Sequence, residues 1–190
     1  MTARTSLVVV GSSWGGLHAI GVVLAGLPAD FGAAVVLAQH RSHTSTGALA
    51  HVFQRRTVLP LHEVEDKDSI EPGHVYLAPS DYHLIVDHRH FSLSVGAPVQ
   101  FSRPSIDVLF ETAATAYGAA VAAVVLTGAN ADGAAGLAAV KRAGGITVVQ
   151  DPAGAASATM PEAAIASGAA DKVLPLPEIA PFLVELCRTT

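Results

Sequence analysis

A short β-branched run, Leu7–Val10, leads straight into "GSSWGG" and then into the apolar segment Leu17–Leu27. An apolar run this short reads as a strand buried on both faces, as parallel strands are. The glycines and serines make a sharp turn, and Pro28 stops the helix that follows. A chain that begins strand–turn–helix in this way is committed to a parallel sheet, because a crossover helix returns the chain to the same edge.

The rest of the sequence keeps that rhythm. Ala33–Ala38 is a second buried strand, and Ser45–Arg56 is a helix with Thr44 or Ser45 as its cap. Leu59–Val64 and His74–Leu77 are shorter strands. Tyr82–Val86 and His90–Val95 alternate apolar and polar residues around "DHRH", the mark of an antiparallel hairpin. Pro104–Tyr117 follows as a helix, with Pro104 in its first turn. Ala119–Leu126 is the longest apolar strand, and Gly133–Arg142 is a helix ending at Gly144–Gly145. Ile146–Val149 and Lys172–Leu174 complete the strands, with helices at Pro161–Ala166 and Pro177–Arg188. The predicted fold is α/β: a three-layer, doubly wound, mainly parallel sheet with one antiparallel hairpin insertion. No linker or repeat divides residues 1–190, which read as one domain.

Composition narrows the classes of function. Half of the residues are apolar and 14% are charged, enough to bury a sizeable core. The net charge is −5 and no stretch is densely basic, so nucleic acid is not an expected partner. The one cysteine, Cys187, excludes a disulfide framework and fits a reducing cytoplasm. No apolar stretch is long enough for a signal-peptide core or a membrane span. The expectation is a cytoplasmic protein with no membrane insertion.

In sheets of this kind ligands sit beyond the carboxyl ends of the strands. Ser12 and Ser13 follow the first strand. Gln39, His40 and Arg41 follow the second. Thr127, Asn130 and Asp132 follow the long strand, and Gln150 and Asp151 the next. A serine, a histidine and an aspartate therefore share one rim. "GSSWG" matches G-x-S-x-G, in which a tight turn lifts a serine hydroxyl out of the sheet. Such a serine needs a base and a carboxylate to orient it, and His40 and Asp132 can fill those roles. The order Ser, His, Asp departs from the α/β-hydrolase order. A glycine-rich first turn equally serves to hold phosphate at a helix N-terminus. Here neither the dinucleotide fingerprint nor a Walker lysine is present. From these residues alone the nucleophile turn and the phosphate cradle stand level.

His43 and His51, in or near the second helix, compete weakly with His40, and Asp151, Asp81 and Asp107 compete with Asp132; the remaining histidines read as structural. His18 lies on the first helix, and His88 and His90 lie at the hairpin turn without a completing metal-ligand set. Asp132 taken alone would be an N-cap or first-turn acid, and Asp151 before Pro152 a turn residue.

Beyond single residues, whole blocks occur in a familiar order: "VVVGSSWGG", "VVLAQHRS", "VYLAPSDYHL", "RPSIDVLFETAA", "VVLTGANADGAAGLAAVKRAGG" and "VVQDPAGAASATMPEAA". Together they resemble the catalytic domain of the chemotaxis protein-glutamate methylesterases of the CheB type, over roughly residues 7 to 174. The resemblance implies a Ser-His-Asp triad at Ser13, His40 and Asp132. It implies an acyl-enzyme mechanism without cofactor or metal. Its oxyanion donors would be the backbone N–H groups of Trp14 and Ala129. Its substrates would be glutamyl methyl esters on the cytoplasmic helices of methylated chemoreceptors, with deamidation of certain receptor glutamines. Three positions depart from the family pattern. Trp14 replaces a small threonine, Ala129–Asn130 replaces Met-Gly, and Thr159 replaces the glycine of "GMP". The bulky indole is expected to narrow or roof the pocket. The family's receiver domain has no counterpart in these residues, so a stand-alone catalytic domain is expected, with any receiver or regulatory protein acting in trans. Two other readings are a serine esterase of this architecture acting on a different ester, and a non-catalytic or nucleotide-binding Rossmann-like module.

Overall fold

The computed structural model describes residues 5–41 and 48–188. Nine strands and six α-helices are described. β1 (Leu7–Ser12), α1 (Gly16–Ala25), β2 (Ala34–Gln39) and α2 (Ala48–Gln54) open the chain. β3 (Leu61–Glu63) and β4 (Val75–Leu77) follow, then β5 (His83–Val86) and β6 (Phe91–Ser94). α3 (Ile106–Tyr117), β7 (Val121–Val125), α4 (Ala134–Arg142) and β8 (Ile146–Gln150) form the second half, closed by α5 (Thr159–Ala166), β9 (Lys172–Leu174) and α6 (Leu176–Leu186). The main sheet has seven parallel strands in the order β3-β4-β2-β1-β7-β8-β9, and β5 pairs antiparallel with β6 in a separate hairpin. The doubly wound sheet and its hairpin are as the sequence predicts. Among the described residues no helix is long and apolar enough to cross a membrane.

The central strands are buried on both faces, and alternate residues feed two cores. Leu7, Val9, Val36 and Val125 face α3, α4, α5 and the hairpin. Val8, Val10, Leu37 and Val124 face α1, α2 and α6. This is the physical reason for uninterrupted apolar strands: neither face is left to water. Strand order reverses at β1. The chain fills the sheet outward through β2, then returns to lay β7 on the other side of β1. The crevice between the ends of β1 and β7 is therefore the topological switch point, where such sheets bind ligands.

Two local boundaries on either side of α3 differ from the sequence reading. Ser105, not Pro104, starts α3: its hydroxyl accepts from the Val108 amide at 3.4 Å, so the proline lies just outside the helix. Residues Gly118–Ala120 form a 3₁₀ turn and delay β7 to Val121. The expected Thr44 or Ser45 cap lies outside the described residues.

α3 and α4 pack closely where Gly136 of α4 meets Phe110 and Asp107 of α3, and they exchange carboxylates. Asp107, in the first turn of α3, accepts from the Gly133 and Gly136 amides at 2.9 and 2.7 Å, at the start of α4. Asp132, just before α4, accepts from the Ile106 and Asp107 amides at 2.7 and 2.9 Å, at the start of α3. Each negative charge thus sits on the positive end of the other helix and satisfies amides that have no intrahelical partner. The alternative reading of Asp132, as a cap of its own helix, does not hold. Gly133 takes that position with φ 102°, and Asp132 is turned to α3 instead.

A Cβ on Gly136 would lie 2.6 Å from Phe110 Cβ and 3.0 Å from the Asp107 carbonyl oxygen. Gly136→Ala should therefore destabilise the fold by about 1–3 kcal/mol through overpacking. On a free helix the same change would stabilise by up to about 1 kcal/mol. The urea midpoint decides the sign, and a raised midpoint would show that α3 and α4 do not approach this closely.

Candidate active site

Strand pairing brings the three rim segments together. Ser12 stands opposite Gln39, and Gly11 opposite Val125. The backbone ladder runs one step further: the His40 amide donates to Ser12 O and the Ser13 amide to Thr127 O, both at 3.0 Å. Ser13, His40 and Thr127 thus leave three adjacent strands side by side.

The turn after β1 is fixed from beneath. Gly15 has φ 80°, a left-handed conformation that favours glycine. A Cβ on Gly16 would lie 2.1 Å from Gln39 Oε1 and 2.4 Å from Ser12 Oγ. Ser12 is more than a small turn residue: it is fully buried and donates to Gln39 Oε1 at 2.6 Å. The Gln39 amide in turn donates to the Ser13 and His40 carbonyls at 2.9 and 2.8 Å, joining the two rim segments. Thr127 Oγ1 donates to the Trp14 carbonyl at 2.9 Å. A side chain at 128 would intrude on the site, since its Cβ would fall 3.0 Å from Ser13 Cβ and 2.5 Å from Met160 Cε.

His40 Nε2 donates to Asp132 Oδ2 at 2.7 Å, with the proton assigned to Nε2 by that partner. Asp132 is fully buried, and its other oxygen accepts from Ser105 Oγ at 2.9 Å. Burial alone would raise this carboxyl, but the bonds from His40 and from the Asp107 and Ile106 amides outweigh it and hold it below the ordinary carboxylate value. The neighbouring Asp107 goes the other way. Burial pushes it up and the charge of Asp132 adds to this, against the pull of the Gly136 and Gly133 amides and of Gln100.

With Nε2 committed to Asp132, the free lone pair of His40 is on Nδ1. In the chymotrypsin-type triad it is Nδ1 that meets the carboxylate. Ser102 Oγ lies 3.4 Å from Nδ1 and Asn130 Nδ2 3.5 Å from it. No hydrogen bond joins Ser13 Oγ to His40 among the described residues. In unliganded active sites such contacts are often long and tighten with substrate.

The Trp14 and Ala129 amides, the expected oxyanion donors, have no partner among the described residues. Those of Ser13, Gly16 and Gly128 are already spent on carbonyl oxygens. The Trp14 indole departs from expectation: at 71% exposure it stands in solvent and roofs nothing. His51 and His88 are exposed, Asp151 caps a 3₁₀ turn, and no cluster among the described residues could hold a metal ion. From sequence Gln39 is only a rim residue and Asp107 only a competitor of Asp132, while Ser102 and Ser105 have no part. Their only signal was position, in the "QH" block and the segment before α3.

The two carboxyls have opposite linkage. Asp132 is depressed, so its contribution to stability is present above about pH 4, near the unfolded value, and is lost as pH falls through its folded value. Asp107 is raised, so the stability of its protonated form is complete below about pH 4 and fades as pH rises through its folded value. At neutral pH Asp132→Asn should cost about 2–3 kcal/mol, because an amide nitrogen would then face donors. Asp107→Asn should cost less than half as much. Denaturant unfolding across pH 3–8 checks both, and equal costs at neutral pH would contradict the opposed carboxyl environments.

Comparison with known proteins places this geometry. The family model described as CheB methylesterase matches residues 8–183. A putative protein-glutamate methylesterase/protein-glutamine glutaminase of Leptospira interrogans is 44% identical over 94% of this chain and 93% of its own length. Protein-glutamate methylesterase/protein-glutamine glutaminase 2 of Anaeromyxobacter dehalogenans is 42% identical over 98% of this chain, which spans only 54% of that relative. The crystal structure of the Thermotoga maritima CheB methylesterase catalytic domain superposes with a TM-score of 0.93 at 34% identity, covering 97% of this chain and 100% of that one. With its sequence matched nearly end to end and its switch-point site on the same fold, the chain belongs to the CheB methylesterase family.

Proposed function

We propose that this chain is a serine hydrolase that cleaves glutamyl methyl esters on chemoreceptor proteins and deamidates receptor glutamines, acting in the cytoplasm. The observation that carries the reading is the part-buried His40–Asp132 pair at 2.7 Å, set beside Ser13 on the neighbouring strand end. The names of the Leptospira and Anaeromyxobacter relatives supply the substrate class.

In this reading Ser13 is the nucleophile, His40 the general base and Asp132 the orienting carboxylate. His40 Nδ1 takes the hydroxyl proton as Ser13 Oγ attacks the ester carbonyl. The imidazolium is held by the anionic Asp132, whose low proton affinity keeps the proton on the ring. Collapse of the tetrahedral intermediate returns the proton from Nδ1 to the departing methanol oxygen. Water then gives its proton to Nδ1 and attacks the glutamyl-enzyme, Ser13 is released, and a glutamate side chain is left. Glutamine follows the same route with ammonia leaving. The free Trp14 and Ala129 amides are the donors to the developing oxyanion, where loss of one such group typically costs about 10²–10³ in rate. A receiver or regulatory protein acting in trans would be the source of control.

Methanol release from methylated receptor fragments tests the reading. Ser13→Ala should lower it by about 10⁴-fold or more. A serine-directed fluorophosphonate should label the native protein and not the variant. Equal methanol release from both proteins would remove Ser13 as nucleophile.

A further inference from the structure

Two groups crowd His40 Nδ1 that the proposed triad does not use. Ser102 Oγ is 3.4 Å away and Asn130 Nδ2 is 3.5 Å away. Both are held in place. Asn130 Oδ1 accepts from the Asp132 amide at 3.2 Å, which turns its NH₂ toward the ring. Ser102 sits in a strap, residues 95–105, pinned at several points. Arg103 bonds Asp81 and the Val95 and Gly96 carbonyls, and Gln100 bonds Asp107 at 2.8 Å. The Ser102 backbone pairs with Val99. The strap's side of His40 opens on a cavity of about 80 Å³, lined also by Arg41 and Phe101 and roomy enough for water.

The chemistry gives this location a meaning. The oxygen that leaves in acylation receives its proton from Nδ1, and the water of deacylation surrenders its proton to Nδ1. Both must therefore occupy one place, within hydrogen-bond reach of that nitrogen. Ser102 and Asn130 already border that place.

We infer that Ser102 is a further catalytic residue, whose hydroxyl holds the hydrolytic water on His40 Nδ1 during deacylation. This rests on the acyl-enzyme reading of Ser13. The water would donate one hydrogen to Nδ1 and the other to Ser102 Oγ, and accept from Asn130 Nδ2. One lone pair remains for attack on the acyl carbon. The balance is simple: water oxygen bonds the carbonyl carbon as its proton passes to Nδ1. The carbon–Oγ bond to Ser13 then breaks and Oγ recovers that proton. Ser102 ends as it began, having gained and lost nothing. A hydroxyl suits the task because it both donates and accepts; in the resting site it turns its proton toward Nδ1 instead.

An activated ester separates the two half-reactions. p-Nitrophenolate leaves without proton assistance, so acylation by p-nitrophenyl acetate does not need Ser102. In Ser102→Ala the initial burst of p-nitrophenolate should match the native protein, while decay of the acetyl-enzyme, followed by intact mass, should slow about tenfold, the worth of one hydrogen bond. Ser102→Thr, which keeps the hydroxyl, should restore most of that decay. Unchanged decay in Ser102→Ala, or burst and decay falling together, would overturn the inference, the second because a merely structural loss affects both steps. Ser13→Ala is run alongside. If it forms acetyl-enzyme at the native rate, the triad reading itself fails. If it does not, and Ser102→Ala decays normally, only the role of Ser102 fails.

Discussion

The exchange of carboxylates between α3 and α4 is the interaction on which the site depends. Asp132 accepts the amides at the start of α3, and Asp107 accepts those at the start of α4. A helix N-terminus carries unsatisfied donors and a partial positive charge, so each carboxylate is solvated by backbone rather than by water. This lets Asp132 remain ionised though fully buried. It also sets the carboxylate's position to the precision of two helix ends. An aspartate held only by His40 would bury a charge at a cost of several kcal/mol.

The exchange is unequal. Asp132 gains the His40 bond and a low proton affinity, whereas Asp107, two residues into α3 and close to that charge, is pushed the other way. Two carboxyls in one buried cluster are thus separated in proton affinity, with the anion placed against the imidazole. Gln100 ties Asp107 to the strap that bears Ser102, so the same cluster orders both sides of His40.

Much of this was legible in one dimension. Uninterrupted apolar strands alternating with helices fix a doubly wound sheet, because only a sheet covered on both faces can bury residues such as Val8 and Val9 on opposite sides. The rim position of Ser13, His40 and Asp132 follows from counting past strand ends. The turn is equally readable, since Gly15 and Gly16 are where a left-handed residue and a close approach to Gln39 are needed. Trp14 was misread as a roof because sequence gives a side chain's size and not its direction.

What the sequence determined by itself was which segments become strands and helices, and which residue types stand on the functional rim. Those properties come from periodicity and from local backbone preference, which act over a few residues. Only the tertiary structure decided that Nε2 and not Nδ1 of His40 meets Asp132, that Asp132 caps the helix ahead of it rather than its own, and that Ser102 reaches the other face of the imidazole. Each of these joins residues between 26 and 92 positions apart. Their geometry is set by how α3, α4 and the strap pack on the strand ends, and no local pattern encodes it.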